Sequence, residues 1–187
     1  PGLRLLQAVV HYEFSGVRTF RRATTISIDI DTEENDPAFS EELSHTISRP
    51  ASGPKIGEAD VPRIRRAWTL IDEVSRTTCG ELLAEIAPEN LRLYDRERKR
   101  LERQYDHRAT EAGAQLDEAR ANLERIDASG TDGDRRILPV FRKRVEDCEQ
   151  ANRKVVEDRR ARLADLESRQ KPIPSITVRG LCLVMTV

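Results

Sequence analysis

The groups in this 187-residue chain that could do chemistry are 32 lysines and arginines set among 33 aspartates and glutamates, and their placement matters more than their sum. Three stretches concentrate the bases. Residues 92–108 hold seven bases against four acids, 135–144 five bases and no acid, and 153–162 five bases against two acids. Arginine dominates, and a guanidinium offers a planar fork of donors suited to phosphate oxygens. Such a pattern supports capture of a nucleic-acid backbone without reading of bases. The candidate contacts are Arg98, Lys99 and Arg103 from the first stretch, Arg142, Lys143 and Arg144 from the second, and Arg153 and Arg160 from the third. The competing reading is an exposed helix laced with salt bridges, because many of these bases have an acid three or four residues away. The formal net charge of -1 requires any binding face to be local. Tyr94 and Tyr105 could stack on bases, but their spacing predicts packing between helices instead.

Other chemistry finds no foothold. There is no G-x-x-x-x-G-K-[ST] or G-x-G-x-x-G to cradle phosphates and no G-x-S-x-G nucleophile turn. His11, His45 and His107 are far apart, and no Cys or His pair has metal-ligand spacing. No catalytic residue, metal or cofactor is expected, and the abundant acids read as solvated helix faces. Cys79, Cys148 and Cys182 are an odd number without paired spacing, which reads as free thiols in a reducing cytoplasm. No apolar run approaches the roughly 20 residues that span a bilayer, so no membrane partner is expected. The chain opens without a signal peptide or an initiator Met, which reads as a fragment or a processed form.

The bases must be positioned by something long. Leu91, Tyr94, Leu101, Tyr105, Ala112, Leu116, Ala119, Leu123 and Ile126 recur in steps of three and four or their sums, as do Leu138, Phe141, Val145, Cys148, Val155, Leu163 and Leu166. Each set predicts one stripe on one helix. Between them, 127–134 carries two glycines with Ser, Thr and Asp, a helix stop followed by a fresh start. A short connection makes the helices antiparallel. An arm of roughly 38 residues would reach about 55–60 Å. Arg98, Arg108, Asn152 and Arg159 fall on the seam, and Gly113 is a place where the first arm can bend. Pro139 is tolerable near the start of the second helix. Asp127, Asp132 and Asp134 give the tip an acidic character, a candidate partner-binding feature.

Strand signals flank the arms. Leu6, Ala8, Val10, Tyr12 and Phe14 alternate with other residues, Ser15-Gly16 offers a turn, and a second alternating run follows to Ile30. Residues 175–187 are the most strand-like run in the chain, and a lone strand cannot leave its backbone unpaired. The expectation is an α+β fold: a small antiparallel sheet of N- and C-terminal strands with a long antiparallel coiled-coil hairpin inserted. Residues 1–87 and 172–187 would make the base and 88–171 the arm. Residues 29–60 hold nine acids and two bases, and 48–57 reads as a mobile loop. Residues 61–87 read as a helix capped by Asp60 and anchored in the core by Trp68, with Pro88 kinking or breaking the path into the arm.

Leu93-Tyr94-Asp95-Arg96-Glu97-Arg98, Leu101-Glu102-Arg103-Gln104-Tyr105 and Asp134-Arg135-Arg136-Ile137-Leu138-Pro139-Val140, with the opening strands, acidic crossover and closing strand, carry a resemblance. The chain resembles the C-terminal accessory region of bacterial Swi/Snf-type superfamily-two helicases, the group that includes RNA-polymerase-associated helicases and the DISARM helicase. The resemblance implies a nucleic-acid-dependent ATPase motor in the same parent chain, with this region engaging nucleic acid or a partner. The motor motifs are not in these residues, so no ATP hydrolysis is expected of them. The alternative is a protein-interaction arm that self-associates or contacts RNA polymerase, without nucleic-acid binding.

Overall fold

The computed structural model describes residues 4–35 and 57–185. The first alternating run forms β1, Arg4–Ser15, and the return run forms β2, Thr19–Asp29. They pair antiparallel from Leu5 opposite Asp29 to Ser15 opposite Thr19. β3, Ile173–Met185, pairs antiparallel with the other side of β1. The strand order is therefore β2-β1-β3, with the first strand central. Among the described residues two long helices lie between β2 and β3: α1, Val61–Ser129, and α2, Asp132–Ser168, which form the expected antiparallel hairpin. The fold is α+β.

The chain divides into two compact units, Pro1–Asn90 with Lys171–Val187, and Leu91–Gln170. In the first, Leu6, Ala8, Val10, Tyr12 and Phe14 share one face of β1 and are at most 3% exposed. Register places Ile28, Ile26 and Phe20 of β2 beside them. Ala67, Ile71, Ser75, Cys79 and Ile86 form the buried stripe of the helix segment in this unit. Contacts fix its direction. Arg4 bonds Asp60 at the start of β1, and Asn90 Oδ1 accepts the Val17 N–H just past its end. Thirty helical residues cover about 45 Å, and the twelve residues of β1 about 40 Å, so the segment runs along the whole central strand. Arg4 also forks onto Asp31, which pairs with Arg63 at 2.8 Å. These hydrogen bonds from Arg4 hold the Asp31 and Asp60 carboxyls below their ordinary range.

Several expectations change. α1 continues through Pro88 without a break. Pro88 and Ala84, whose carbonyl loses its partner, are both exposed, so water can satisfy that carbonyl. Ile86 and Asn90, both buried, hold the helix on either side. The first unit includes Asn90. Trp68 is 42% exposed and anchors no core. Its neighbour Ala67 faces inward, and one residue on a helix turns the side chain by about 100°. Asp60 does not cap α1. It closes a 3-10 turn, Glu58–Asp60, and its carboxylate takes Arg4 and the Gly57 N–H. The helices consume most of 127–134 and leave only Gly130 and Thr131 between them. That lengthening puts Pro139 eight residues into α2, where it and Arg135 are again exposed. The proposed loop 48–57 lies outside the described residues except for Gly57.

Candidate nucleic-acid interface

The second unit is the hairpin that carries the three basic stretches. Its seam follows an eleven-residue step. Tyr94, Tyr105 and Leu116 are buried on α1, with Ala119 and Ile126 beyond them, and Val155 and Leu166 are buried on α2. Eleven residues make just over three turns of a straight helix, so each stripe stays on one side. Both tyrosines are 5% exposed and are unavailable for stacking on bases. Three of the four polar seam positions have partners: Arg159 reaches Asp106 across the arms at 2.9 Å, Arg98 reaches Glu102 at 3.0 Å, and the Arg108 guanidinium lies over the Tyr105 ring. Arg120 and Glu149 add a second bridge between the arms at 2.8 Å.

The turn is built by Gly130 and Thr131. Gly130 has φ +65°, a conformation that glycine adopts without the Cβ penalty. The Thr131 hydroxyl accepts the Asp134 N–H and caps α2. The Asp134 carboxylate in turn accepts the hydroxyls of Ser129 and Thr131, which hold it below the usual carboxylate range. Of the three tip acids, Asp134 is thus occupied in closing the turn. Asp132 stands out in solvent, 3.7 Å from Arg135, and Asp127 is exposed.

The predicted basic residues fall into two groups. On α1, Arg98 is paired with Glu102 and Arg103 Nε donates to the Lys99 carbonyl. On α2, Arg142, Lys143, Arg144, Arg153 and Arg160 are exposed, and no carboxylate lies within ion-pair distance of them among the described residues. Among the described residues, only Arg98 of the eight predicted bases therefore has a carboxylate partner. Arg142 and Glu146, Lys143 and Asp147, and Arg153 and Glu157 are four residues apart with the base first, the less favourable sense for a helical pair. The acid-first pairs Asp132–Arg135 and Asp165–Arg169 form, but acid-first Asp158–Arg162 does not.

Helix geometry also decides what these bases can share. Successive residues turn by about 100°, so Arg142, Lys143 and Arg144 fan across about 200° and make a collar, not a single face. Arg142, Arg153 and Arg160, spaced by eleven and seven residues, do line up in one row about 27 Å long. The eight predicted residues therefore do not converge on one surface.

The sequence reading passed over Ile137 and Val140. They are 42% and 67% exposed and sit inside the acid-free run 135–144, off the seam defined by Leu138 and Phe141. The available signal was two apolar residues three apart on the side away from the periodic stripe. Val140, Pro139, Lys143, Arg144 and Asp147 line a shallow groove there. Among the described residues, no group of three or more His, Cys, Asp or Glu could hold a metal ion, and no helix is long and apolar enough to cross a membrane. Comparison with known proteins finds no matching family, no similar curated protein and no similar solved structure.

Proposed function

We propose that this chain is a non-catalytic accessory domain of a nucleic-acid-dependent ATPase of the helicase type, and that α2 engages the nucleic-acid backbone. The observation that carries the reading is the acid-free run 135–144, whose Arg142, Lys143 and Arg144 stand exposed without carboxylate partners among the described residues. Five like charges on one short helical stretch repel one another, and a polyanion relieves that repulsion. A collar suits phosphates, which present charge without sequence, better than it suits base edges. The helicase assignment rests on the residue pattern quoted above, and the motor would lie elsewhere in the parent chain.

The test is the triple charge reversal Arg142→Glu, Lys143→Glu and Arg144→Glu, measured by fluorescence anisotropy on duplex and single-stranded oligonucleotides over a salt series. Three lost phosphate contacts should lower the slope of log K against log salt by about 2.7 on duplex. An unchanged affinity and slope would remove the reading.

Exposed Ile137 and Val140 favour a second reading, in which the same collar docks an acidic, partly apolar protein surface such as one on RNA polymerase. Val140→Ser separates the two. It leaves oligonucleotide affinity unchanged if phosphates are the ligand and weakens polymerase binding if protein is. Replacing 128–133 by a neutral turn tests whether the tip itself makes the contact.

A further inference from the structure

β3 is an outer strand of the sheet, and among the described residues no strand pairs with its far edge. Main-chain N–H and C=O groups along such an edge are a template for another strand. An apolar row accompanies them: Ile176 is 39% exposed, Val178 37% and Leu181 53%. Facing residues of an antiparallel ladder share a side of the sheet, and these three face the buried Tyr12, Val10 and Ala8. The row thus stands on the helix side of the sheet but beyond the helix's cover. Three strands span about 14 Å, and one helix is about 10 Å across.

Trp68 borders the same opening. Ala67 points inward, and Arg66, about 100° round the helix, reaches Glu33. Glu33 lies in the turn that brings Asn35 to the outer side of β2, where it bridges to Ile28. Trp68 turns about 100° the other way, toward β3. It is eight residues past Asp60, about 12 Å of helix, and Asp60 meets Arg4. A similar distance along β1, about 13 Å, leads from Arg4 to Ala8, which faces Leu181.

Charges, prolines and bulges ordinarily protect an edge. Here Pro174 lies at the start of the strand, and Arg179 is its one charged residue. The bulge fits a second copy of the same strand. Val10 pairs with Val178 but Val9 with Gly180, which leaves Arg179 as the extra residue. Helix-side positions are therefore even-numbered before the bulge and odd-numbered after it. Set two copies of β3 antiparallel about a twofold axis between Arg179 and Gly180, and two residues face two at the bulge. Val178 then faces Leu181 of the second copy and Ile176 faces its Leu183, all on the helix side. Thr177 faces Cys182 of the second copy and Ser175 faces its Val184, all on the other side. We propose that β3 is a self-association edge, through which two copies of this chain join into one six-stranded sheet. The joined edge is about 40 Å long and about 10 Å thick, so about 800 Å² is covered in total, the size of a weak, transient interface. The two Arg179 Cα atoms lie about 6 Å apart across the axis, so salt tightens the pair, opposite to its effect on phosphate binding. The edge is separate from α2 and does not rest on the reading of the collar.

The test is sedimentation equilibrium of the whole chain from about 10 µM to about 1 mM. A reversible monomer–dimer equilibrium that tightens with salt is expected. I176K/L181K, which puts lysines at positions already exposed, should weaken it at least about tenfold. Thr177→Cys tests the register. Facing Cα atoms are about 4.5–5.5 Å apart, within disulfide reach, so oxidised T177C should run as a covalent dimer on a non-reducing gel and T177C/C182S should not. The α2 triple reversal should change neither readout, so this edge and the collar can fail separately. A chain that stays monomeric, a dimer indifferent to I176K/L181K, or oxidised T177C without the covalent dimer would overturn the proposal.

Discussion

Gly16→Ala is expected to be one of the most damaging single-methyl changes in the first unit. An added Cβ at Gly16 would lie 2.3 Å from Asn90 Oδ1 and 2.8 Å from its Cγ. Asn90 is fully buried, and that same oxygen accepts the Val17 N–H at 2.8 Å. The amide cannot yield without breaking this bond and leaving a donor short of its partner. Overpacking costs about 1–3 kcal/mol, and an unsatisfied buried polar group about 1–3 kcal/mol. The two overlap, since movement that relieves one causes the other, so a loss of about 2–4 kcal/mol follows. Trp68 is the sole tryptophan and lies in this unit, so urea unfolding followed by its fluorescence reads the change directly. The m-value should stay constant while the midpoint falls. A double-mutant cycle with Asn90→Ala sharpens the test. With the amide gone, Gly16→Ala should cost less than about 0.5 kcal/mol, giving a coupling of at least about 1.5 kcal/mol. Additive single changes, or a parent-like G16A, would refute the argument that this end of the helix segment is locked to the β1–β2 turn.

Acid should loosen the other end of the same unit. Asp31 and Asp60 are held below their ordinary value chiefly by hydrogen bonds from Arg4. Depressed carboxyls contribute stability that is present above the unfolded value near 4 and is lost as pH falls through the folded one. Midpoints of Trp68 unfolding should therefore drop as pH is lowered below about 4, and Arg4→Met should flatten that limb; an identical limb in R4M would count against the clamp. Two glycines of the hairpin should respond with opposite signs to alanine in thermal unfolding by far-UV circular dichroism. Gly130, at φ +65°, should lose about 1–2 kcal/mol, while Gly113, inside α1 with nothing within 4 Å of an added Cβ, should gain about 0.5–1 kcal/mol.

The parts of the fold that were legible in the sequence are those governed by period. Alternation gave β1 and β2, steps of three and four gave the arms, and the demand that a strand be paired put β3 beside β1. What escaped was decided by contacts between distant residues. Pro88 signals a break locally, but an exposed face and buried neighbours on both sides let the helix continue. Trp68 looks like an anchor by size, yet the inward position belongs to Ala67, a matter of one residue of helical phase. Gly16 was readable as a turn residue. Its demand for space comes from Asn90, 74 positions away in the sequence. The bulge in β3, where Val10 pairs with Val178 but Val9 with Gly180, was signalled by a glycine inside a strand-like run, a sign that becomes informative only once the partner strand is known.

The basic residues of α2 raise a question of order rather than number. Over Arg142–Asp158, four base–acid pairs stand four residues apart with the base first: Arg142 and Glu146, Lys143 and Asp147, Arg153 and Glu157, Lys154 and Asp158. None closes to an ion pair, and neither do the acid-first neighbours Glu149 and Arg153, or Asp158 and Arg162. Order is a bias and not a bar, because Arg98, also first, reaches Glu102 on α1. A guanidinium already held by a carboxylate must give up that contact before it can bind phosphate, so cations of α2 left without a carboxylate at ion-pair distance are the better placed to take an outside anion, which supports the proposed contact. The exposed apolar pair Ile137 and Val140 points the same way, for it sits where the acid-free run is densest and adds nothing to the seam. The apolar pair and the acid-free run together support a proposed contact in the part of α2 nearest the turn, whichever of the two partners occupies it.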